Sequence, residues 1–343
     1  MVSNQFNASI PKLRVWLPPL VVLAHCAGTC GMGEAHFWNT SVCDFFVIFF
    51  SRGITKVATP CFFLISGYLF YLGFEGRWRW EIYCQKLRRR VFTLLIPYIA
   101  WNLIRASLLF IGSKMNLITQ PELLQKLNPY DIFISSIDGS LWFLRDLIVV
   151  IVLSPLLFVF IKKSKLLGML LLCFLHVSRL WPLQNIPGFS SVAICLFAIG
   201  GYFAICPKTD IALFCRKWRY VNYSLTITLL GFIVFCWNKY PIYPYLLSAF
   251  RIFGSFTLID VACNCTSMKR LYTKLEPAAF FVFAAHEGLL ILSFFSFMLS
   301  LSQLPDVINY FLCFILTYSL SLSLYFIVKV IFPPRISLII TAK

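Results

Sequence analysis

Apolar runs long enough to cross a bilayer, separated by short basic loops, extend over nearly the whole chain. A run of roughly 20 apolar residues spans the hydrocarbon core as a helix. Helix is the only regular structure open to it there, because lipid offers no partner to an unpaired backbone N–H or C=O. Ten spans are expected, at roughly 15–30, 57–73, 91–112, 141–161, 166–181, 189–206, 220–237, 242–263, 278–302 and 306–332. The segment 42–50 (VCDFFVIFF) is too short to cross alone. It extends the second span outward, lies at the interface, or re-enters. The expected fold is an all-α polytopic transmembrane bundle forming a single integral-membrane domain, 1–343.

Composition excludes the soluble alternatives. Only 13% of the 343 residues are charged and 60% are hydrophobic, whereas a soluble domain carries about a quarter charged residues. A formal charge of +17 in a soluble protein would suggest nucleic acid. Here the Lys and Arg lie between apolar runs, so the expected partner is membrane lipid and no nucleic acid. The 13 cysteines are scattered, several inside apolar runs (Cys61, Cys173, Cys195, Cys313), without a paired CxxC. They read as small buried hydrophobes, and no metal site is expected. The start, MVSNQFNASIPKLR, is polar and lacks a small-residue cleavage site, so no removed signal peptide is expected.

The loops set the orientation. On the side of the N-terminus lie 20 basic residues, including Lys12, Arg14, Arg77, Arg79, Lys86, Arg88, Arg89, Arg90, Lys208 and Lys343. The opposite side holds 6: Arg52, Lys56, Lys114, Lys126, Arg179 and Lys239. Both termini are therefore expected in the cytoplasm by the positive-inside rule, in a multi-pass protein of the cell inner (cytoplasmic) membrane. The long loop at about 113–140 is expected to fold back on the membrane. Pro18 and Pro19 remove two backbone donors and should kink the first helix.

Ionisable groups inside the spans carry the functional reading, because they are costly in lipid and usually face a cavity. Arg14 and His25 are eleven residues apart, a spacing that returns almost to the same helix face, roughly 16 Å further along the axis. Arg14 then sits at the cytoplasmic mouth and His25 near mid-membrane. A thioester donor fits that stripe, with phosphates at the mouth and its acyl end at the imidazole. Arg14 equally satisfies the positive-inside rule, and His25 equally serves as a hydrogen bond between helices. His286 lies at similar depth in EPAAFFVFAAHEGLLI, and Glu287 projects about 100° away from it. Trp142 and Arg145 (beside Asp146) start the fourth span near the outer side, where they suit the hydroxyls or phosphate of an acceptor. A structural Arg–Asp ion pair is the alternative. Arg88, Arg89 and Arg90 suit a nucleotide diphosphate, or simply fix topology. Ser66–Gly67, mid-span, reads as a close-packing pair. The chain contains no GxGxxG, Walker, GxSxG or HExxH sequence.

These segments resemble the integral-membrane acyltransferase family 3, which includes polysaccharide O-acetyltransferases. LRVWLPPLVVLAHC preserves the family's Arg, ten residues, His arrangement as Arg14 and His25. TPCFFLISGYLF is similar to its FF-x-x-SGY, KLRRRVFTLLIPYIAW to its basic stretch leading into R-x-x-x-P-Y, and SLWFLRDLIVV to its WFL segment. FFVFAAHEGLL is similar to its late aromatic-rich segment ending in histidine. Pro18–Pro19 and Ala284–Ala285 depart from that pattern. The resemblance implies transfer of an acyl group, commonly acetyl, from cytoplasmic acyl-CoA to a hydroxyl of a carbohydrate or lipid-linked glycan, with no permanently bound cofactor. His25 would be the general base or the acyl carrier. Arg14 would bind donor phosphate, and His286 would orient the donor or the oxyanion. Glycan-assembly proteins are possible partners. A transporter exporting a glycan precursor is the alternative, but it should show internal repeats or broken helices bearing its site, and no repeat is visible. A non-enzymatic scaffold is the third reading.

Overall fold

The computed structural model describes residues 4–29, 42–118, 121–206, 210–237, 240–265 and 269–341, and every regular element among them is helical. Of the basic residues that argue for orientation, Lys208, Lys239 and Lys343 lie outside the described residues.

Twelve helices carry the architecture: α1 (Asn4–His25), α2 (Ala58–Tyr71), α3 (Trp80–Arg90), α4 (Ile96–Lys114), α5 (Trp142–Val152), α6 (Ser154–Val177), α7 (Ser191–Ile205), α8 (Arg219–Cys236), α9 (Tyr243–Asn264), α10 (Ala279–Gly288), α11 (Ile291–Ser300) and α12 (Asp306–Ile331). Among the described residues, most of each expected span lies on helix. Five continuous helical stretches are long and apolar enough to cross a membrane: Val42–Phe74, Trp80–Lys114, α8, α9 and α12. Counting the bent pairs α5–α6 and Arg270–Ser300 as one span each gives up to seven, against the ten expected.

The reasons for the difference are local. α1 is 22 residues long but carries Lys12 and Arg14 together with Pro11, Pro18 and Pro19. α7 has only 15 residues. α5 and α6 meet at 67°, and α6 is itself broken at Lys165, whose φ of 49° and ψ of −131° are non-helical. That break falls where a basic loop is expected between the fourth and fifth spans. On one side of it Tyr71 donates to the Ser154 carbonyl at 2.7 Å, and on the other His176 meets Ser191 at 2.9 Å. α10 and α11 are bent by 53° around Leu290, which is left-handed with φ 58°.

Segment 42–50 extends the second span. A short α-turn (Val42–Val47), a π-helical turn (Ile48–Gly53) and a 3-10 turn (Ile54–Val57) run without interruption into α2. Such irregular turns rotate side chains out of the regular helical stripe and often lie at functional sites.

The tightest contact in the bundle joins α2 to α7. A Cβ on Gly67 would sit 2.0 Å from the Phe197 carbonyl oxygen, and one on Gly200 would sit 2.0 Å from that of Leu64. The two backbones touch because neither glycine has a side chain, which is how small residues stabilise helix pairs when lipid supplies no hydrophobic drive. Around this contact Phe63, Phe70, Tyr71 and Phe197 are buried. Asp260 of α9 accepts from Arg219 at 2.7 Å and from Tyr223 at 2.8 Å, which ties α8 to α9.

Candidate active site

α1 delivers His25 as its last residue, and α10 delivers His286 and Glu287 from its final turn. His25 Nδ1 and Glu287 Oε1 are in direct contact. A carboxylate can only accept, so the proton of a neutral His25 is assigned to Nδ1 and the lone pair to Nε2. The His286 ring is fully buried and packs edge-on against His25, with centroids 5.2 Å apart. The helical step explains the arrangement: consecutive residues project about 100° apart, so His286 and Glu287 meet His25 from two directions.

Glu287 is also fixed through its backbone. Arg105 of α4 donates to its carbonyl, which also accepts from the Leu290 amide at 2.9 Å. Beyond this contact Asp138, in the loop before α5, accepts from the Ser140 amide at 2.9 Å and hydroxyl at 2.7 Å.

A cavity of about 460 Å³ opens on the Arg14 side. Arg14, Lys86, Arg89 and Arg90 contribute positive charge to it, and Glu276 is its carboxylate. Arg14 Nη1 pairs with Glu276 Oε1 at 2.6 Å. Lys86 donates to the Phe70 carbonyl and lies 5.3 Å and 5.2 Å from the Phe70 and Phe74 ring centroids. The deep lining is apolar and includes Phe62, Phe143 and Phe283. Charged at the mouth and apolar inside, the cavity matches a polyanionic donor with a small acyl end.

A second cavity, about 100 Å³, lies on the His25 side and is lined by His25, Thr55, Lys56, Thr59, Trp142 and Arg251, with Val21, Ala24, Pro60 and Val192 completing it. Three helices serve both cavities. α1 gives Arg14 to the first and His25 to the second, α2 gives Phe62 and Ser66 to the first and Thr59 to the second, and α5 gives Phe143 to the first and Trp142 to the second. Between them stands an aromatic wall. Phe143 packs on Phe63 with centroids 4.7 Å apart and on Phe283 at 5.7 Å, and Phe283 lies 6.3 Å from His286.

Of the residues expected from sequence, His25 and His286 meet, Arg14 shares the large cavity with Arg89 and Arg90, and Trp142 lines the small one. Arg88 is exposed and outside both linings. Arg145 is engaged by Asp146 at 2.8 Å and by the Ser135 carbonyl at 2.8 Å, and it lines neither cavity. Ser66 lines the large cavity, beside the close-packed Gly67. Glu287, Lys86 and Lys56 are the residues that sequence reasoning did not select. The only signal for Glu287 was an acid directly after a mid-span histidine.

His25, His286 and Glu287 each offer one ligand atom, and these atoms lie within 4.8 Å of one another. Two imidazoles and a carboxylate form a donor set that zinc accepts. The same set works without a metal as a base oriented by an acid.

The site is thus a partly buried His25–Glu287 contact inside a multi-span helical bundle, with His25 lining the smaller of two cavities. The chain belongs to the integral-membrane acyltransferase family 3, whose acyltransferase domain matches residues 12–326. That membership makes it an acyl-CoA-dependent acyltransferase acting on a membrane-associated substrate. No curated protein and no solved structure matches the chain.

Proposed function

We propose that this protein moves an acyl group, acetyl in the simplest case, from cytoplasmic acyl-CoA to a hydroxyl of a carbohydrate or lipid-linked glycan. The contact of His25 with Glu287, beside a cationic cavity on one side and a polar pocket on the other, is the observation that carries this reading. The acceptor hydroxyl gives its proton to His25 Nε2 while its oxygen attacks the thioester carbonyl. The C–S bond then breaks, and CoA leaves as a thiol, taking the proton back from His25. Glu287 holds the Nδ1–H and stabilises the imidazolium that forms between these steps, as the acid of a catalytic triad does. His286, against the His25 ring, orients the donor carbonyl or its developing oxyanion.

Arg14, Arg89 and Arg90 bind the donor phosphates in this reading, joined by Lys86. Arg88, at the exposed rim, raises local donor concentration through its field. Trp142 faces the acceptor, and Arg145 acts on that side by tying the loop at Ser135 to α5. The chain is then a single domain of the inner membrane with ten spans and both termini in the cytoplasm, and glycan-assembly proteins are its neighbours. A version in which His25 first carries the acyl group is favoured by the aromatic wall between the cavities. Single-turnover measurement without acceptor separates the two versions, since only the carrier version labels the protein.

Purified protein in lipid, given radiolabelled acetyl-CoA and a lipid-linked glycan pool, tests the proposal. Loss of CoA release and label transfer in His25→Ala, with a lipid-facing Leu→Ala control unaffected and both proteins inserted, is the expected result. Equal turnover in wild type and His25→Ala would sink it.

A further inference from the structure

The small cavity beside His25 is unusual in its charge. Lys56 comes from the 3-10 turn ahead of α2 and Arg251 from the middle of α9, and both line it. Arg52, on the preceding π-helical turn, is a charged neighbour of Lys56, and Arg179 is a charged neighbour of Arg251. Arg52 also lies over the Trp237 ring, 5.1 Å from its centroid. Among the described residues, the side chains of Lys56 and Arg251 form no ion pair and no hydrogen bond, although the Arg251 carbonyl accepts from Ser255 at 2.6 Å. The acids of neighbouring helices are committed elsewhere: Asp260 to Arg219, Asp146 to Arg145, and Glu287 to His25.

Cations held together in a poorly solvated place repel one another, and a bound anion relieves that repulsion while keeping both side chains charged. Ordinary positive-inside placement does not account for the cluster, because Lys56 and Arg251 line the His25 cavity and not the one shared by Arg14 and Arg90. Helical irregularity supports a built site. The π and 3-10 turns place Arg52, Thr55 and Lys56 where a regular helix would space them differently. A cavity of about 100 Å³ has the volume of roughly three liquid waters. It admits one carboxylate or phosphate group next to a hydroxyl, with the rest of the acceptor outside.

We infer that Lys56 and Arg251 bind an anionic group carried by the acceptor, a carboxylate or a phosphate ester next to the hydroxyl that is acylated. This rests on the proposed function for the identity of the reacting hydroxyl, but anion binding itself does not. Thr55 and Thr59 supply neutral hydrogen bonds to the same group, and Trp142 closes the pocket against the sugar face. Neutral glycans are then poor acceptors, because they leave two cations unpaired.

Two measurements test this in protein reconstituted with neutral phosphatidylcholine only, which removes anionic headgroups as a competing source. The first needs no turnover and reads thermal stability with glucuronate, inorganic phosphate or glucose added. With CoA present throughout to occupy the donor cavity, glucuronate or phosphate should raise the melting temperature of wild type, but not of Lys56→Gln or Arg251→Gln, and glucose should raise none. The second compares acetyl transfer to a glucuronate-bearing oligosaccharide, its methyl ester, a sugar phosphate and the dephosphorylated sugar. Lys56→Gln and Arg251→Gln should each raise KM for a charged acceptor by about 10-fold or more, leaving KM for its neutral counterpart and for acetyl-CoA unchanged. Lys56→Arg should retain most of the preference, and the glucuronate and phosphate arms show which anion is taken. Anion stabilisation that survives in both variants, or equal losses on charged and neutral acceptors, overturns the inference. Anion-specific stabilisation without any acyl transfer would keep the anion site and remove the proposed function instead.

Discussion

Glu287 and His25 stand 262 positions apart in the chain and meet side chain to side chain where α10 and α1 end. The pairing gives His25 one tautomer and one orientation. Replacing Glu287 by Gln keeps the shape but removes the charge that stabilises an imidazolium. Turnover should fall by roughly 100-fold to 10,000-fold with donor binding unchanged, and Glu287→Asp should recover part of it. Initial rates of CoA release set against equilibrium binding of acyl-CoA check this, and an unimpaired Glu287→Gln enzyme removes Glu287 from the mechanism.

Of the three consecutive arginines, Arg89 and Arg90 line the large cavity and Arg88 does not. Arg14→Gln and Arg90→Gln should each raise KM for acyl-CoA by about 10-fold, as expected when a hydrogen bond to a charged group is lost. Arg88→Gln, outside the lining, should change it little. Donor titrations at fixed acceptor provide the comparison, and equal effects from all three would assign them to topology or long-range attraction.

Glu276 is the carboxylate of that cavity and is paired with Arg14. A donor phosphate must compete with it. Glu276→Gln should therefore lower KM for acyl-CoA and leave the maximal rate near that of wild type. A raised KM in the same assay gives Glu276 the opposite role, that of holding Arg14 in its binding position.

Backbone contact between α2 and α7 leaves no space for a side chain at Gly67 or Gly200. Gly67→Leu and Gly200→Leu should each reduce the folded, detergent-stable fraction severely, whereas Gly231→Leu, with nothing near its Cβ position, should not. Size-exclusion profiles after a heat challenge are the readout.

His25, His286 and Glu287 lie close enough to share a divalent cation, yet His25 and Glu287 already satisfy each other directly. Incubation with a strong chelator should leave turnover unchanged. Loss of activity restored by added zinc would reassign the three residues as ligands.

Much of this arrangement was legible in the chain. The stripe joining Arg14 to His25 follows from helical periodicity, but the two side chains line different cavities and not one continuous donor path. His286 was visible because a mid-span imidazole is expensive unless it faces something polar. Glu287 was not, because its partner lies on a helix at the other end of the sequence and periodicity relates residues only within one helix. Segment 42–50 was ambiguous for a different reason: its continuity with α2 depends on π and 3-10 turns, which hydropathy does not resolve. At Arg145 the sequence left an acceptor role and an Arg–Asp ion pair open, and Asp146 and the Ser135 carbonyl engage it. The shortfall from ten long spans has another origin: α1 carries charges and prolines, α7 is short, and the α5–α6 and α10–α11 pairs are bent.

The wall formed by Phe63, Phe143 and Phe283 has a bioenergetic consequence. Polar cavities joined through a membrane bundle would form a wire for protons. Tilted and edge-to-face rings stand in the path of such a wire. In the proposed reaction they would let the acyl group cross while the bilayer stays electrically tight.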